Sequence, residues 1–177
     1  MRKLKNEELG RMQIGEFREA PKNPIVIVLD NVRSAYNVGS VFRTADAFRI
    51  EKLYLCGITG TPPNKEILKT ALGATDSVEW QYGKSSYDTV LDLKNQGYLV
   101  FIVEQADKSI DLYKFIPGID SKIALVFGHE VFGVNEELLN LSDGCIEIPQ
   151  FGTKHSFNVA VTAGIVLWDI HSKLFRK

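Results

Sequence analysis

The sequence has little cysteine, and what it has does not predict crosslinking. Its two cysteines, Cys56 and Cys145, each lie inside an apolar, strand-like run. We therefore expect buried, reduced thiols and neither a disulfide nor a redox or metal role. A chain of 177 residues can also bury a core large enough to need no such staple.

Long hydrophobic runs and a strong charge of one sign are also missing. The longest apolar runs span five or six residues, far fewer than a bilayer requires. The charged residues 1–5 are not followed by an apolar signal segment, so we expect a cytoplasmic protein without a membrane partner. Because the net charge is only −1, any nucleic-acid partner must be held by a local basic patch.

Several motifs of common enzyme classes are absent as well. No G-x-G-x-x-G follows the first strand and no G-x-x-x-x-G-K-[ST] occurs, which disfavours a Rossmann or flavodoxin-like binding protein. The histidines at 129, 155 and 171 lack the spacing of zinc ligands, so no metal is expected. His155 precedes Ser156, but no G-x-S-x-G elbow surrounds the serine, and a serine hydrolase is disfavoured.

The apolar patterns predict an α/β protein with a mostly parallel sheet flanked by helices. Residues 1–24 form an N-terminal arm or short helix, and residues 25–177 form one domain. Asn37 is predicted to cap the helix after the first strand. Strands are predicted at 25–29, 53–56, 78–82, 98–103, 123–127 and 145–148, and further helices at 65–72, 86–96, 135–141 and 158–173. Residues 106–121 are predicted to be a polar connection.

Polar side chains cluster where predicted strands end, which is where α/β proteins bind ligands. Gly128 would let a ligand approach the backbone, although the glycines at 128 and 133 could merely shape a loop beside a solvated Glu130. Ser156 and Asn158 could satisfy the free N–H groups of the last helix or bind a ligand.

Arg43 has two possible roles in the helix that follows the first strand. It could clamp a phosphate together with Asn37, with Arg33 flanking the same polar loop. It could instead pair with Asp46 on an exposed helix face. The sequence leaves both open.

The last predicted helix is apolar nearly all round, through residues such as Val161, Ile165 and Trp168. A helix without a polar face is normally buried on every side. In a chain this short, the pattern favours a core helix that a second subunit also covers, and a helix buried within one chain is the alternative.

Three separated segments resemble the motifs of the SPOUT RNA methyltransferases, in the TrmH (SpoU) branch. They are NVGSVFRTAD at 37–46, VFGHEVFGV at 126–134, and IEIP at 146–149 followed by SFNVA at 156–160. The resemblance covers about residues 25–173. It implies a deep trefoil knot in the C-terminal part, a homodimer formed through the C-terminal helix, and methylation of a ribose 2′-OH in tRNA or rRNA.

The resemblance also implies particular sites. S-adenosylmethionine, which becomes S-adenosylhomocysteine, would be held by seven residues: Glu104, Gln105, Phe127, Gly128, Ile148, Phe157 and Ala160. Phe157 replaces the leucine typical of the family. The reacting centre would contain Arg43, Asn37, Glu130, Ser156 and Asn158. A guanidinium stays protonated, so we expect Arg43 to bind the adjacent phosphate and stabilise the nascent alkoxide, with Glu130 holding Arg43 or a ribose hydroxyl.

The RNA itself is less well defined by the sequence. Candidate RNA contacts are Arg33, Lys65, Lys69 and Lys154. We expect no additional RNA-binding domain, and we favour tRNA over rRNA as the substrate. An inactive RNA-binding member of the fold and a base methyltransferase are the alternatives. Intact polar residues in all three motifs argue against the first, and the Asn37/Arg43 and Ser-x-Asn pattern against the second.

Overall fold

The computed structural model describes residues 1–118 and 120–174. Seven strands form one parallel sheet: β1 Asn23–Asp30, β2 Ile50–Cys56, β3 Trp80–Gly83, β4 Leu99–Val103, β5 Ile110–Asp111, β6 Ile123–Phe127 and β7 Gly144–Glu147. Their order is β3-β2-β1-β6-β4-β7-β5, and every neighbouring pair is parallel. The predicted α/β class is therefore confirmed.

The helices cover both faces of this sheet. They are α1 Ile14–Glu19, α2 Ala35–Ala47, α3 Lys65–Ala71, α4 Ala74–Ser77, α5 Ser86–Asn95, α6 Glu136–Leu141 and α7 Val159–Leu174. β1 is buried on both faces: Ile25, Ile27 and Leu29 join the core that contains α2 and α7, whereas Val26 and Val28 join the core that contains α5 and α6. A continuous β-branched run of this kind is what a central parallel strand requires.

Three features differ from the predictions. The connection at 106–121 contains β5, an edge strand of two residues that is too short to show an alternating pattern. α4 follows α3 directly, because Leu72 and Gly73 both adopt left-handed conformations that end one helix and begin the next. Asn37 does not cap α2: the helix begins earlier, and the Ser34 side chain accepts the Asn37 N–H at 3.3 Å.

The N-terminal arm packs on the body of the domain. Phe17 of α1 is buried in the larger core. The Arg18 guanidinium donates two hydrogen bonds to the carbonyl oxygen of Asp76, at 3.0 and 2.5 Å. The arm therefore has a defined position beside α4.

The last helix is not fully buried within one chain. One side of α7 packs into the core through Ala163, Val166 and Ile170. On its other side, Val161 and Trp168 are 50% and 67% exposed.

No helix in the described part of the chain is long and apolar enough to cross a membrane. Both cysteines are buried and unpaired, as predicted, and burial raises the pKa of each thiol to about 11.

Candidate active site

The strands are all parallel, so the loops that follow β4, β6 and β7 meet at one edge of the sheet. There they enclose a pocket of about 270 Å³, which we call the edge pocket. Six of the seven residues predicted to hold a cofactor line it: Glu104, Gln105, Phe127, Gly128, Ile148 and Phe157. The seventh, Ala160, does not line it; its backbone N–H instead donates to Asn158.

The loop between β6 and α6 closes on itself beside this pocket. His129 and Gly133 exchange two backbone hydrogen bonds, at 3.0 and 2.9 Å. A Cβ at Gly128 would lie 2.4 Å from the Gly133 carbonyl carbon, so only glycine fits there. Gly128 lines the edge pocket, and the closure of the loop is a further reason for its small size.

The polar groups at the end of β4 connect the pocket walls. Glu104 Oε1 accepts the Gln105 N–H at 2.9 Å. Gln105 Nε2 donates to the carbonyl oxygen of His155 at 2.7 Å, which ties β4 to the loop before α7. The Glu104 carboxylate also lies so close to Gly133 that a side chain there would meet it.

Glu130 binds the start of α2. Its carboxylate accepts the backbone N–H groups of Arg33 and Ser34, both at 3.0 Å, and the Asn37 side-chain amide at 3.1 Å. Partial burial acts to raise the pKa of Glu130, but these hydrogen bonds outweigh it and hold the pKa below its usual value. The alternative of a merely solvated Glu130 is therefore wrong. Glu130 was expected to hold Arg43 or a ribose hydroxyl, and the first of these contacts is absent between the two described residues of one chain.

Asn158 extends this network to the last helix. Its Nδ2 donates to Asn37 Oδ1 at 3.0 Å, and its Oδ1 accepts the Ala160 N–H at 2.9 Å. Asn158 therefore caps α7, as predicted. The chain of contacts Glu130–Asn37–Asn158 joins all three motif segments, which lie far apart in the sequence.

The remaining predicted residues are distributed around this network. Ser156 is exposed and lines the edge pocket, and no hydrogen bond of its side chain within the described residues was found. Arg33, Lys65, Lys69 and Lys154 are all exposed. The Lys69 ammonium lies 5.7 Å from the centre of the Tyr36 ring. No group of three or more His, Cys, Asp and Glu side chains suited to a metal occurs among the described residues.

Arg43 lies outside the edge pocket. It is exposed on α2 and lines a separate cleft of about 790 Å³, together with Arg11 and Arg49. We call this the arginine cleft. The alternative pairing of Arg43 with Asp46 does not occur: Asp46 Oδ2 instead accepts the Ser77 hydroxyl hydrogen bond. Within one chain, the structure thus brings together Asn37, Glu130 and Asn158 but not Arg43.

Several pocket residues were missed in the sequence. Thr162 lines the edge pocket one turn after Asn158, and its hydroxyl donates to the Asn158 carbonyl oxygen at 3.1 Å. Its position four residues after a predicted cap was the available clue. Gln150 and Val131 also line the pocket, but they lie in loops without a periodic pattern that could have identified them.

A pocket at the carboxyl edge of a parallel sheet, with a polar network across its rim, defines an α/β enzyme that binds a small cosubstrate where strands end. The profile of the SpoU rRNA Methylase family matches residues 24–168. The chain belongs to that family, whose members are RNA methyltransferases.

Individual relatives agree with this assignment. A tRNA (guanosine(18)-2'-O)-methyltransferase of Thermus thermophilus is 28% identical over 162 residues, 92% of this chain and 81% of its own length. A protein of Borreliella burgdorferi, named as an uncharacterized tRNA/rRNA methyltransferase, is 30% identical over 153 residues, 86% of this chain and 66% of its own length. An AdoMet-bound rRNA methyltransferase from Sinorhizobium meliloti has a similar structure, with a TM-score of 0.81, 25% identity, and 90% of this chain and 60% of that one covered.

Proposed function

We propose that this protein transfers a methyl group from S-adenosylmethionine to a ribose 2′-OH of tRNA or rRNA. The observation that carries the proposal is the Glu130–Asn37–Asn158 network at the rim of the edge pocket, which unites three motif segments of the family. The Thermus relative, which aligns over most of both chains, is named as a tRNA enzyme, and this supports tRNA over rRNA. We place the reaction in the cytoplasm.

The edge pocket suits S-adenosylmethionine in size and chemistry. Its volume is close to the lower end of the usual range for small-molecule sites. Phe157 presents an exposed aromatic ring on which an adenine could stack. The carboxylates of Glu104, Glu130 and Glu147 line the same pocket, so the cationic sulfonium would meet negative charge there. When bound, this cosubstrate supplies an electrophilic methyl group.

The residues of the chain would then position the nucleophile. The ribose 2′-oxygen would attack the methyl carbon as the carbon–sulfur bond breaks and leaves its electron pair on sulfur, and the hydroxyl proton would pass to solvent. Asn37, Ser156 and Asn158 would orient the nucleotide by hydrogen bonding. Glu130 would act through Asn37 and the start of α2, because its oxygens are already occupied by them.

Arg43 would complete the centre from a second copy of the chain. It lines the arginine cleft and not the edge pocket, so in one chain it is separated from the cofactor site. The exposed Val161 and Trp168 on α7 offer the apolar surface that a homodimer would bury. There Arg43 would bind the phosphate next to the target ribose and stabilise the developing alkoxide. Sedimentation of the wild type as a monomer would contradict this arrangement, and Trp168→Glu should convert a dimer to a monomer.

The sheet order also supports a knot in the C-terminal part, which we propose as the finer description of the fold. β6 lies between β1 and β4, whereas the later strand β7 lies on the far side of β4. The chain must therefore cross over β4 before it enters α7. A crystal structure in which the backbone is not knotted would contradict this description.

The decisive experiment combines cofactor binding with mapping of the product. Purified protein is titrated with S-adenosylmethionine by calorimetry, and is then incubated with unmodified tRNA and rRNA transcripts. We expect binding, and mass spectrometry of the digested RNA should locate the added methyl group on a ribose. A methyl group on a base would favour the base methyltransferase instead. A failure to bind the cofactor would favour an inactive RNA-binding member of the family.

A further inference from the structure

The arginine cleft carries more positive charge than the reaction at Arg43 requires. It lies between the N-terminal arm, the end of α2 and the turn between α3 and α4, and Arg11, Arg43 and Arg49 all line it. Asp46 is the one acidic residue among the lining residues, and its carboxylate accepts a hydrogen bond from Ser77. Within the described part of the chain, none of the three guanidinium groups makes a hydrogen bond or an ion pair. Three positive charges with one negative charge among the described lining residues indicate a site for an anion.

The wall that carries Arg11 is a fixed part of the fold. The arm is anchored two turns further on by the buried Phe17 and by the hydrogen bonds from Arg18 to Asp76. At the start of α1, the Gln13 N–H donates to the Glu16 carboxylate at 2.9 Å. Arg11 is therefore presented to the cleft by an ordered segment and not by a loose tail.

Arg49 is held in the cleft at a conformational cost. It occupies the turn between α2 and β2 with a φ of 45°, a left-handed conformation that glycine adopts far more easily. Its backbone N–H donates to Asp46 and its carbonyl oxygen accepts from Asn23, so the conformation is fixed on both sides. A strained residue at a cleft, whose guanidinium has no hydrogen-bond or ion-pair partner among residues 1–118 and 120–174, points to a role for that side chain. Burial and then the charge of Arg49 lower the pKa of Lys22, and the charge of Asp46 opposes them in part.

The cleft also offers apolar surface between its charges. Met12 and Ile14 on the arm and Leu72 after α3 are exposed and line the same cleft. A nucleic-acid strand combines anionic phosphates with riboses and bases that have apolar faces. Arginine forks match phosphate oxygens two at a time, and apolar side chains can pack on the sugars and bases.

We infer that the arginine cleft is a groove for the RNA backbone, in which Arg11 and Arg49 bind the phosphates that flank the nucleotide presented to Arg43. This inference rests on the proposed function and adds two substrate-binding residues to it. Neither residue contacts the edge pocket, so both act on RNA binding and not on cofactor binding.

The test is the salt dependence of RNA binding. A fluorescein-labelled, unmodified tRNA transcript is titrated with wild type, Arg11→Ala, Arg49→Ala and the double variant at several salt concentrations, and anisotropy is read. Each lost phosphate contact should lower the slope of log affinity against log salt by about 1. We expect each single variant to bind about 5-fold more weakly at physiological salt, and the double variant to combine the losses. Lys84→Ala removes an exposed charge outside the cleft and should leave the slope unchanged.

Two further measurements separate RNA contact from damage to the fold. Arg11→Lys and Arg49→Lys keep the charge and should keep the slope. All variants should bind S-adenosylmethionine with wild-type affinity and raise KM for RNA more than they lower kcat. Alanine variants with the wild-type slope and affinity would overturn the inference, while methylation by the wild type would leave the proposed function intact. Conversely, a wild type that binds no cofactor but shows the predicted slopes would overturn the proposed function alone.

Discussion

In the edge pocket, the Glu130 carboxylate accepts three hydrogen bonds from its own chain. In the arginine cleft, by contrast, the guanidinium groups of Arg11, Arg43 and Arg49 have no hydrogen-bond or ion-pair partner among the described residues. The edge pocket is thus organised before any ligand binds. The arginine cleft holds three positive charges against the one negative charge of Asp46 among its described lining residues. This difference suits an enzyme that holds a small cosubstrate by preformed geometry and a large anionic substrate by electrostatic attraction.

The largest expected effect is the loss of Arg43. Arg43→Ala should slow methyl transfer about 1,000-fold, or roughly 4 kcal/mol, because the developing alkoxide loses its positive partner. Affinity for S-adenosylmethionine should be unchanged, since Arg43 does not line the edge pocket. Single-turnover kinetics with a tRNA transcript and calorimetry measure the two quantities. An Arg43→Lys enzyme of normal rate would show that the guanidinium fork is not needed.

Gly128 tests the rigidity of the edge pocket. Gly128→Ala should destabilise the protein by about 2–3 kcal/mol, because the new methyl group would collide with the Gly133 backbone. Urea unfolding measures this change. Gly152→Ala is the control: a Cβ there meets nothing within 4 Å, and its effect should stay within about 0.5 kcal/mol. Equal stability of the two variants would mean that the loop at 128–133 can open freely.

Asn158 tests whether the network serves the fold, the cofactor or both. Asn158→Ala should cost about 1–2 kcal/mol, because it removes the cap of α7 and the contact with Asn37. It should also weaken cofactor binding. Asn135→Ala removes the cap of α6, whose side chain likewise accepts a backbone N–H, that of Glu137, but has no described link to Glu130 of the edge pocket, whereas Asn158 reaches it through Asn37. Both variants should lose stability, and only Asn158→Ala should lose cofactor affinity in calorimetry.

Much of the difference between the edge pocket and the arginine cleft could be predicted from the sequence. Helical spacing buries Val38, Phe42 and Ala45 on α2 and leaves Arg43 exposed, as the structure has it. The resemblance to the SPOUT methyltransferases implied that Glu104, Gly128 and Ile148 lie at one cofactor site. The three residues line one pocket, because the parallel strands that precede them share one edge.

The errors arise where a local preference competes with a distant partner. Ser34 and Asn37 are equally good caps by residue type, and the prediction chose Asn37. In the structure, Asn37 binds Glu130 and Asn158, which lie 93 and 121 residues away. No local pattern encodes such contacts. The arginine cleft was missed for the same reason, because Arg11 and Arg49 meet only after the arm has folded onto α4.

The charge of Glu130 makes the stability of the protein depend on pH. Its folded-state pKa is lowered, so its contribution to stability is present above its unfolded pKa of about 4.3 and is lost as the pH falls through the folded pKa. Glu130→Gln should cost about 1 kcal/mol at neutral pH, and the difference from wild type should shrink below about pH 4. Urea unfolding over this range measures it. Glu19→Gln, at an exposed position without a described hydrogen bond, should match the stability of the wild type at neutral pH.

The smallest effect separates charge from backbone strain at Arg49. Arg49→Gly and Arg49→Ala both remove the guanidinium, and they should weaken tRNA binding equally. Only glycine relieves the left-handed backbone, so Arg49→Gly should be about 1 kcal/mol more stable than Arg49→Ala, or roughly 2–4 °C in Tm. Glycine also has more freedom in the unfolded state, which offsets part of the gain relative to the wild type. Equal melting temperatures for the two variants would show that the turn relaxes without strain, and the arginine would then have been retained there at no cost to the fold.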